Sequence, residues 1–192
     1  GNELLTIAGS EDFLYAPLDD TGSYVHDDSW SSIHIEQVLA LPLVDRGAVA
    51  KADFTVAIDC VNSVGGIIVP ALLKSLGVNK IIELNTTPDG HFAHNPEPLP
   101  ANLKEISSLT ASSGADVGFV VDPDVDRLAI ICEDGSMFGE EYTLVAVSDY
   151  VLTASPGNTV SNLSSTRALK DVTEKHGGQY FTAAVGEVNV VE

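Results

Sequence analysis

Three aspartates alternate with other residues in the segment DPDVDR at residues 122–127, and Arg127 closes it. On extended backbone, alternate side chains point to the same side, so the three carboxylates are expected to converge. Converging carboxylates repel one another, and a hard divalent cation that prefers oxygen ligands, such as Mg²⁺ or Mn²⁺, relieves this repulsion. Arg127 adds a forked cation that suits a phosphoryl group. The segment therefore predicts a Mg²⁺ site with these ligands: Asp122, Asp124 and Asp126.

Other kinds of acidic loop compete with this interpretation. A solvated acidic turn does not explain the strict spacing between two apolar strands. An EF-hand requires glycine at the sixth loop position, where this chain has Arg127. An aspartyl phosphatase of the haloacid dehalogenase type also carries Asp-x-Asp after an apolar strand, with Asp122 as nucleophile and Asp124 as general acid. The loop alone leaves this phosphatase open, although it gives Asp126 and Arg127 no role.

The composition is that of a globular and strongly acidic protein. Nine basic side chains stand against 28 acidic ones, for a net charge of −19. Such a field repels nucleic acid and anionic lipid, so we expect neither as a partner. The sequence shows no basic and apolar leader and no apolar run of the ~18 residues that a membrane span needs, so a cytoplasmic protein is expected. Cys60 and Cys132 each end an apolar run, which predicts buried free thiols.

The elements around the aspartates follow a β-α-β order. FTVAIDC at residues 54–60 predicts a buried strand, and IIVPALLKSLG predicts a helix capped by Gly77, with Asn62 or Ser63 as its N-cap. KIIELN predicts a second strand, and TTPDGHFAHNPEPLP predicts a long surface loop. VGFVV and LAIIC predict two further strands on either side of the aspartates. The expected fold is a three-layer α/β/α domain with a mixed, largely parallel sheet.

The flanking parts of the chain are less regular. Residues 1–30 predict a loop or loosely packed connection, followed by a helix from Ile33 that stops at Pro42. After Pro156 the pattern strand, helix, strand begins again and predicts a partial second α/β unit. His91 and His94 lie three apart in the long loop, near Asp89 and Glu97, but without cysteines a structural role is favoured over zinc.

The ordered set of segments resembles the α-D-phosphohexomutases, the phosphoglucomutase/phosphomannomutase family. DPDVDR followed by LAII resembles the family's metal-binding loop, and FTVAIDCVNSVGGIIVPALLKSLGV resembles the opening strand and helix of its second domain. TPDGHFAHNPEPLPANL resembles the following loop, and GEEYTLVAVSDYVL the later helix. The resemblance implies a second, metal-binding domain at residues 51–155, preceded by a linker and helix at residues 1–50. Residues 156–192 resemble the start of the third domain.

The resemblance also implies a function. The family has four domains that each give one loop to a central cleft, and the serine loop and the phosphate loop are not found in this chain. Asp122, Asp124 and Asp126 would bind Mg²⁺ together with a phosphoserine from another domain. Arg127 would act in catalysis and hold the phosphoryl group, and Glu187 would lie near the sugar. The implied partners are a hexose phosphate and the remaining domains, and the chain alone is expected to be inactive. A metal- or ligand-binding module without chemistry stays open as an alternative.

Overall fold

The structure is a computed structural model that describes residues 1–11 and 13–191. It divides into two compact units, residues 1–31 and residues 32–192. The first unit contains helix α1 (Asn2–Ser10) and a 3₁₀ turn (Leu18–Asp20), and neither has a buried residue. The expectation of a loop throughout residues 1–30 was therefore wrong for α1. Its sequence, NELLTIAGS, contains good helix formers and an acidic residue in the first turn, which favour helix without any packing.

The rest of the chain contains both helices and strands. The helices are α2 (Trp30–Leu39), α3 (Arg46–Ala52), α4 (Gly65–Leu76), α5 (Lys104–Ser113), α6 (Tyr142–Ala154), α7 (Ala168–Lys175) and α8 (Glu187–Val191). The strands are β1 (Thr55–Asp59), β2 (Lys80–Leu84), β3 (Val117–Val121), β4 (Leu128–Cys132), β5 (Thr159–Asn162) and β6 (Tyr180–Ala183). None of the helices in the described part of the chain is long and apolar enough to cross a membrane.

The main sheet has the strand order β2-β1-β3-β4. β1 is parallel to both β2 and β3, whereas β4 runs antiparallel to β3. A second, two-stranded parallel sheet is formed by β5 and β6. The predicted mixed, largely parallel sheet and the partial second α/β unit are both confirmed. The carboxyl ends of β1, β2 and β3 lie at one edge of the sheet, where open α/β sheets bind ligands.

Side chains alternate between the two faces of the main sheet. Ala57, Val120 and Ile131 pack with Ile106 of α5 in one buried cluster. Their sequence neighbours Ile58 and Val121 belong to a second buried cluster on the opposite face, which includes Leu73 of α4 and the Cys60 thiol. Two covered faces make the three layers of the predicted α/β/α domain. Both cysteines are free, with Cys60 buried and Cys132 half-buried.

Helix α4 ends as predicted but begins differently. Gly77 closes it with a φ of 99°, the left-handed conformation that glycine adopts without strain. Neither Asn62 nor Ser63 caps its N-terminus, because the N-cap position is Val64 and no side-chain cap is made. Gly66 in the first turn meets the backbone of Thr86, where a Cβ atom would lie 2.0 Å from the carbonyl oxygen. The absence of a side chain therefore lets α4 approach the chain that leaves β2.

Residues 85–103, here called the long loop, connect β2 to α5 without a helix or strand, as the Pro-rich sequence predicted. Helix α3 was not predicted from the sequence. It is seven residues long, and the Asp45 side chain caps it by accepting a hydrogen bond of 2.9 Å from the backbone N–H of Ala48. A helix of two turns gives too few residues for a reliable apolar period.

Candidate metal centre

Residues 122–127, here called the metal loop, form the turn between β3 and the antiparallel β4. One oxygen each from Asp122, Asp124 and Asp126 can be chosen so that all three lie within 4.8 Å of one another. The predicted reason for this convergence was wrong. The backbone is a turn and not extended, and Val125 has a φ of 64°, which is strained for a β-branched residue. The turn, and not strand alternation, brings the carboxylates together.

Asp122 anchors the metal loop from inside. Its side chain is only 9% exposed, and its Oδ1 atom accepts a hydrogen bond of 3.1 Å from the backbone N–H of Arg127. Its carbonyl oxygen accepts another of 3.2 Å from Val125 N–H. Asp124 and Asp126 are exposed. The Asp122 carboxylate is therefore held in place, whereas the two exposed carboxylates have room to adjust around an ion.

The two neighbouring carboxylates affect the protonation of Asp126. The pKa of Asp126 is raised above its ordinary value of 3.8, first by a hydrogen bond with the Asp122 carboxylate and next by the charge of Asp124. A shifted pKa of this kind is the signature of crowded negative charge. Oxygen ligands around Mg²⁺ lie at about 2.1 Å from the ion and so within about 4.2 Å of one another. A small movement of the two exposed side chains reaches this spacing, so the residues present fit a hard divalent cation.

The metal loop is the one group of three or more acidic, histidine or cysteine side chains with ligand-like spacing in residues 1–11 and 13–191. The zinc site considered for the long loop does not form there. His91 is 90% exposed, and its Nδ1 atom lies 3.6 Å from Asp89. His94 turns inward instead and binds a carboxylate at the end of β1.

Arg127 reaches from the metal loop to the long loop. Its guanidinium forms an ion pair with Glu97, and its Nε atom lies 3.9 Å from carboxylate oxygens of both Asp122 and Asp126. The charge of Glu97 is the main cause that raises the pKa of Arg127. The guanidinium is half-exposed and so remains open to an anionic ligand. Glu97 was noted in the sequence only as a neighbour of the histidines, because its partner is 30 positions away.

A buried polar cluster at the ends of β1 and β2 was missed from the sequence. Asp59 is 1% exposed and accepts hydrogen bonds from the Val61 backbone N–H at 3.0 Å and from the Asn85 amide at 3.2 Å. Its Oδ2 atom lies 3.1 Å from Nε2 of His94, whose side chain is 17% exposed. The available signal was Asp59 itself, an acidic residue inside an apolar strand, which must find partners when it is buried.

Two further contacts tie the long loop and the metal loop to the turn after β1, residues 60–64. The Asn62 amide donates a hydrogen bond of 3.1 Å to the carbonyl oxygen of His91. The Ser63 hydroxyl donates one of 2.8 Å to the carbonyl oxygen of Pro123. Val61 and Asn62 have φ values of 49° and 56°, both left-handed. For a buried valine this conformation is strained, and such strain is held only where surrounding contacts impose it.

Glu187 lies apart from this cluster of contacts. It is the first residue of α8, which packs on β5 and β6 of the second sheet, and its side chain is exposed. Glu187 does not belong to the group of carboxylates with ligand-like spacing. In the turn after β5, Ser164 and Ser165 both donate their hydroxyl groups to the side-chain oxygen of Asn162.

Two family models cover this arrangement of elements. The model of α/β/α domain II of phosphoglucomutase/phosphomannomutase matches residues 32–135, and the model of α/β/α domain III of the same family matches residues 139–192. The chain belongs to the phosphoglucomutase/phosphomannomutase family. The resemblance inferred from the ordered motifs is thereby confirmed, and the metal loop lies inside the domain II match.

Individual relatives of the chain support the same family assignment. It is 30% identical over 181 residues to a protein of Methanopyrus kandleri named "Probable phosphoglucosamine mutase", with 93% of the chain and 39% of the relative covered. It is 33% identical to the phosphoglucomutase/phosphomannomutase of Thermococcus kodakarensis, with 94% and 39% covered. The chain thus spans about two fifths of the length of these curated relatives.

A solved structure of the family agrees with the fold of this chain. A phosphoglucomutase/phosphomannomutase family protein from Burkholderia thailandensis superposes with a TM-score of 0.77 at 26% identity. The match covers 99% of this chain and 40% of that one. The α/β arrangement described above is therefore the arrangement of the family.

Proposed function

We propose that this chain supplies the metal-binding domain of a phosphosugar mutase. The whole enzyme would move a phosphoryl group between the 1- and 6-positions of a hexose phosphate, through a phosphoserine enzyme and a bisphosphate intermediate. The observation that carries this proposal is the metal loop: three carboxylate oxygens within 4.8 Å of one another, beside an arginine, inside the stretch that matches the family's domain II. A hexose phosphate is the substrate class that the names of the relatives support.

The residues of this chain have distinct roles in the proposal. Asp122, Asp124 and Asp126 would hold Mg²⁺, which when bound neutralises charge on the phosphoryl group that is transferred. Asp122 keeps a fixed direction through its hydrogen bond with the Arg127 backbone, whereas the other two carboxylates close on the ion. The Arg127 guanidinium would hold the phosphoryl group with donors that its contact with Glu97 leaves free. Glu187 would lie near the sugar when the remaining domains complete the cleft.

Metal binding tests the first part of the proposal. We expect Mn²⁺ titration of the chain to show one weak site, because carboxylates without a phosphoserine leave positions to water. Asp124→Ala should lower the affinity by about tenfold or more, by analogy with the loss caused when ligand-supporting groups are removed. Asp171→Ala, an exposed aspartate on α7 that pairs with Arg167, is the matched control. Equal binding by wild type and Asp124→Ala would contradict the ligand assignment.

Turnover tests the second part. We expect a coupled assay to detect no mutase activity in the 192-residue chain alone, because the family resemblance gives the phosphoserine to another domain. Turnover by this chain alone would overturn that division of roles. A polypeptide that joins the chain to the family's other domains should interconvert hexose phosphates. A module that binds metal without chemistry would stay inactive in both forms.

The phosphatase alternative predicts a different result. If Asp122 were a nucleophile, the chain would hydrolyse a generic phosphate ester such as p-nitrophenyl phosphate, and Asp122→Asn would abolish the hydrolysis. The family match favours the mutase. We therefore expect no hydrolysis to be present in wild type or in Asp122→Asn.

A further inference from the structure

Both ring nitrogens of His94 have a partner, one of which is the buried Asp59. Nδ1 of His94 lies 2.8 Å from the carbonyl oxygen of Asn95, and Nε2 lies 3.1 Å from Asp59 Oδ2. His94 therefore contacts its own loop through one ring nitrogen and the buried carboxyl group of Asp59 through the other. Buried polar groups need hydrogen-bond partners, and Asp59 also accepts hydrogen bonds from Val61 and Asn85.

The pair closes a chain of contacts that ends at the metal loop. His94 fixes the middle of the long loop on the end of β1, and Asn62 holds the same loop three residues earlier, at His91. Three residues after His94, Glu97 binds the Arg127 guanidinium. From the other side, Ser63 in the turn after β1 holds the carbonyl group of Pro123. The end of β1 thus supports the metal loop directly and also through the long loop.

The position of Arg127 explains how contacts of the long loop can affect the metal loop. Its Nε atom lies 3.9 Å from carboxylates of Asp122 and Asp126, just beyond hydrogen-bond distance. A guanidinium that moved onto these carboxylates would satisfy their charge and compete with a metal ion for the same oxygens. Glu97 offers a competing partner that draws the guanidinium away. A fixed Glu97 therefore keeps the Arg127 guanidinium away from the carboxylate oxygens that would bind the metal ion.

We propose that Asp59 and His94 are positioning residues of the metal centre, which fix the long loop so that Glu97 keeps Arg127 off the ligand carboxylates. The statement that the site binds a metal rests on the proposed function. The contacts of Asp59 and His94, and the Arg127 signal that tests them, do not depend on it. The competing explanation is that the pair only stabilises the fold. The two differ in whether loss of His94 changes Arg127 and the metal affinity in protein that remains folded.

The chain offers a matched control for this test. His176 is 16% exposed and its Nε2 atom lies 2.6 Å from Asp149 on α6, so it is a half-buried histidine paired with an aspartate, as His94 is. It belongs to the contact between α6 and α7, and not to the metal loop. His94→Gln and His176→Gln remove comparable pairs, and only the first should affect the metal loop.

The measurements are the Nε–H signal of Arg127 in ¹⁵N-labelled protein and the Mn²⁺ affinity, both below the unfolding temperature of each variant. We expect His94→Gln to shift the Arg127 signal and to weaken Mn²⁺ binding by about tenfold, whereas His176→Gln changes neither. Unchanged values for His94→Gln, or equal changes in both variants, overturn the proposal. Glu97→Gln is an exposed substitution that tests the last step without risk to folding, and it must give the same shift and the same loss.

A double-mutant cycle separates competition by Arg127 from general damage. If His94→Gln acts by releasing Arg127 onto the carboxylates, its effect on Mn²⁺ affinity should vanish in an Arg127→Met background. Additive effects of the two substitutions overturn this explanation. If wild type bound no Mn²⁺ at all, the metal role in the proposed function would fail, and the Arg127 signal would still decide whether Asp59 and His94 position that side chain.

Discussion

The Ser63 hydroxyl donates a hydrogen bond of 2.8 Å to the carbonyl oxygen of Pro123, 60 positions later in the chain. Ser63 stands in the turn between β1 and α4, where sequence patterns predicted a helix cap. The hydroxyl is used for a long-range contact instead, and α4 begins without a side-chain cap. The start of one helix therefore helps to fix the residue between the first two metal-loop aspartates.

Removal of this hydroxyl should loosen the metal loop. We expect Ser63→Ala to lower the free energy of unfolding by about 1 kcal/mol, the usual net value of one hydrogen bond, and to weaken Mn²⁺ binding as well. Ser75→Ala is the matched control, because Ser75 is also half-buried and donates a hydrogen bond of 2.8 Å, but only to the carbonyl oxygen of Ala71 in its own helix. Mn²⁺ affinity that falls equally in both variants would contradict a specific link through Pro123.

Gly66 is predicted to tolerate no side chain. A Cβ atom there would lie 2.0 Å from the Thr86 carbonyl oxygen, and backbone atoms cannot give way as a flexible side chain can. We expect Gly66→Ala to lower the free energy of unfolding by about 1–3 kcal/mol in a urea titration, or to prevent folding. Gly157→Ala, with open space around the added atom, should be close to neutral. A neutral Gly66→Ala would mean that α4 can move away from the long loop.

The Cys60 thiol should be inert in the folded protein. It is fully buried, and burial raises its pKa to about 12, so thiolate is scarce at neutral pH. We expect iodoacetamide to modify Cys60 only after denaturation, as followed by mass spectrometry of the peptide that contains it. Labelling in the native state at the rate of a denatured control would show that the end of β1 opens frequently.

The pair of Asp149 with His176 and Lys175 predicts a pH dependence of stability. The hydrogen bond with His176, and then that with Lys175, holds the pKa of Asp149 below its ordinary value of 3.8. A carboxylate with a depressed folded-state pKa stabilises the fold above its unfolded-state pKa, and this contribution is lost as pH falls through the folded-state value. We therefore expect Asp149→Asn to lower the urea midpoint most above pH 3.8 and progressively less below it. A difference that is constant down to about pH 3 would contradict the assignment.

Local patterns in the sequence were sufficient for most of the main sheet. The runs VGFVV and LAIIC coincide with β3 and β4, and Gly77 ends α4, because strand burial and helix capping depend on neighbouring residues. The identity of the metal-loop carboxylates likewise came from spacing within six residues. The division of the chain at residues 51 and 156 stays a prediction.

What the sequence could not provide were contacts between distant segments. Asp59 and His94 are 35 positions apart, and Arg127 and Glu97 are 30 apart. Nothing in either local sequence specifies such a partner, since many acidic side chains compete for few cations in this chain. The alternation of the aspartates was misleading for the same reason: a turn imposed by the return of β4 on β3 replaced the extended backbone that the spacing indicated.

The antiparallel return of β4 also sets how long the metal loop can be. Val120 is opposite Ala129, and Gly118 is opposite Ile131, so the buried side chains of β4 meet β3 in one register. A slip of β4 by one residue on β3 would turn Ala129 and Ile131 out of the core. The pairing of an apolar strand therefore constrains the segment that carries the carboxylates. An insertion that forces such a slip should therefore prevent folding, before any requirement of catalysis applies.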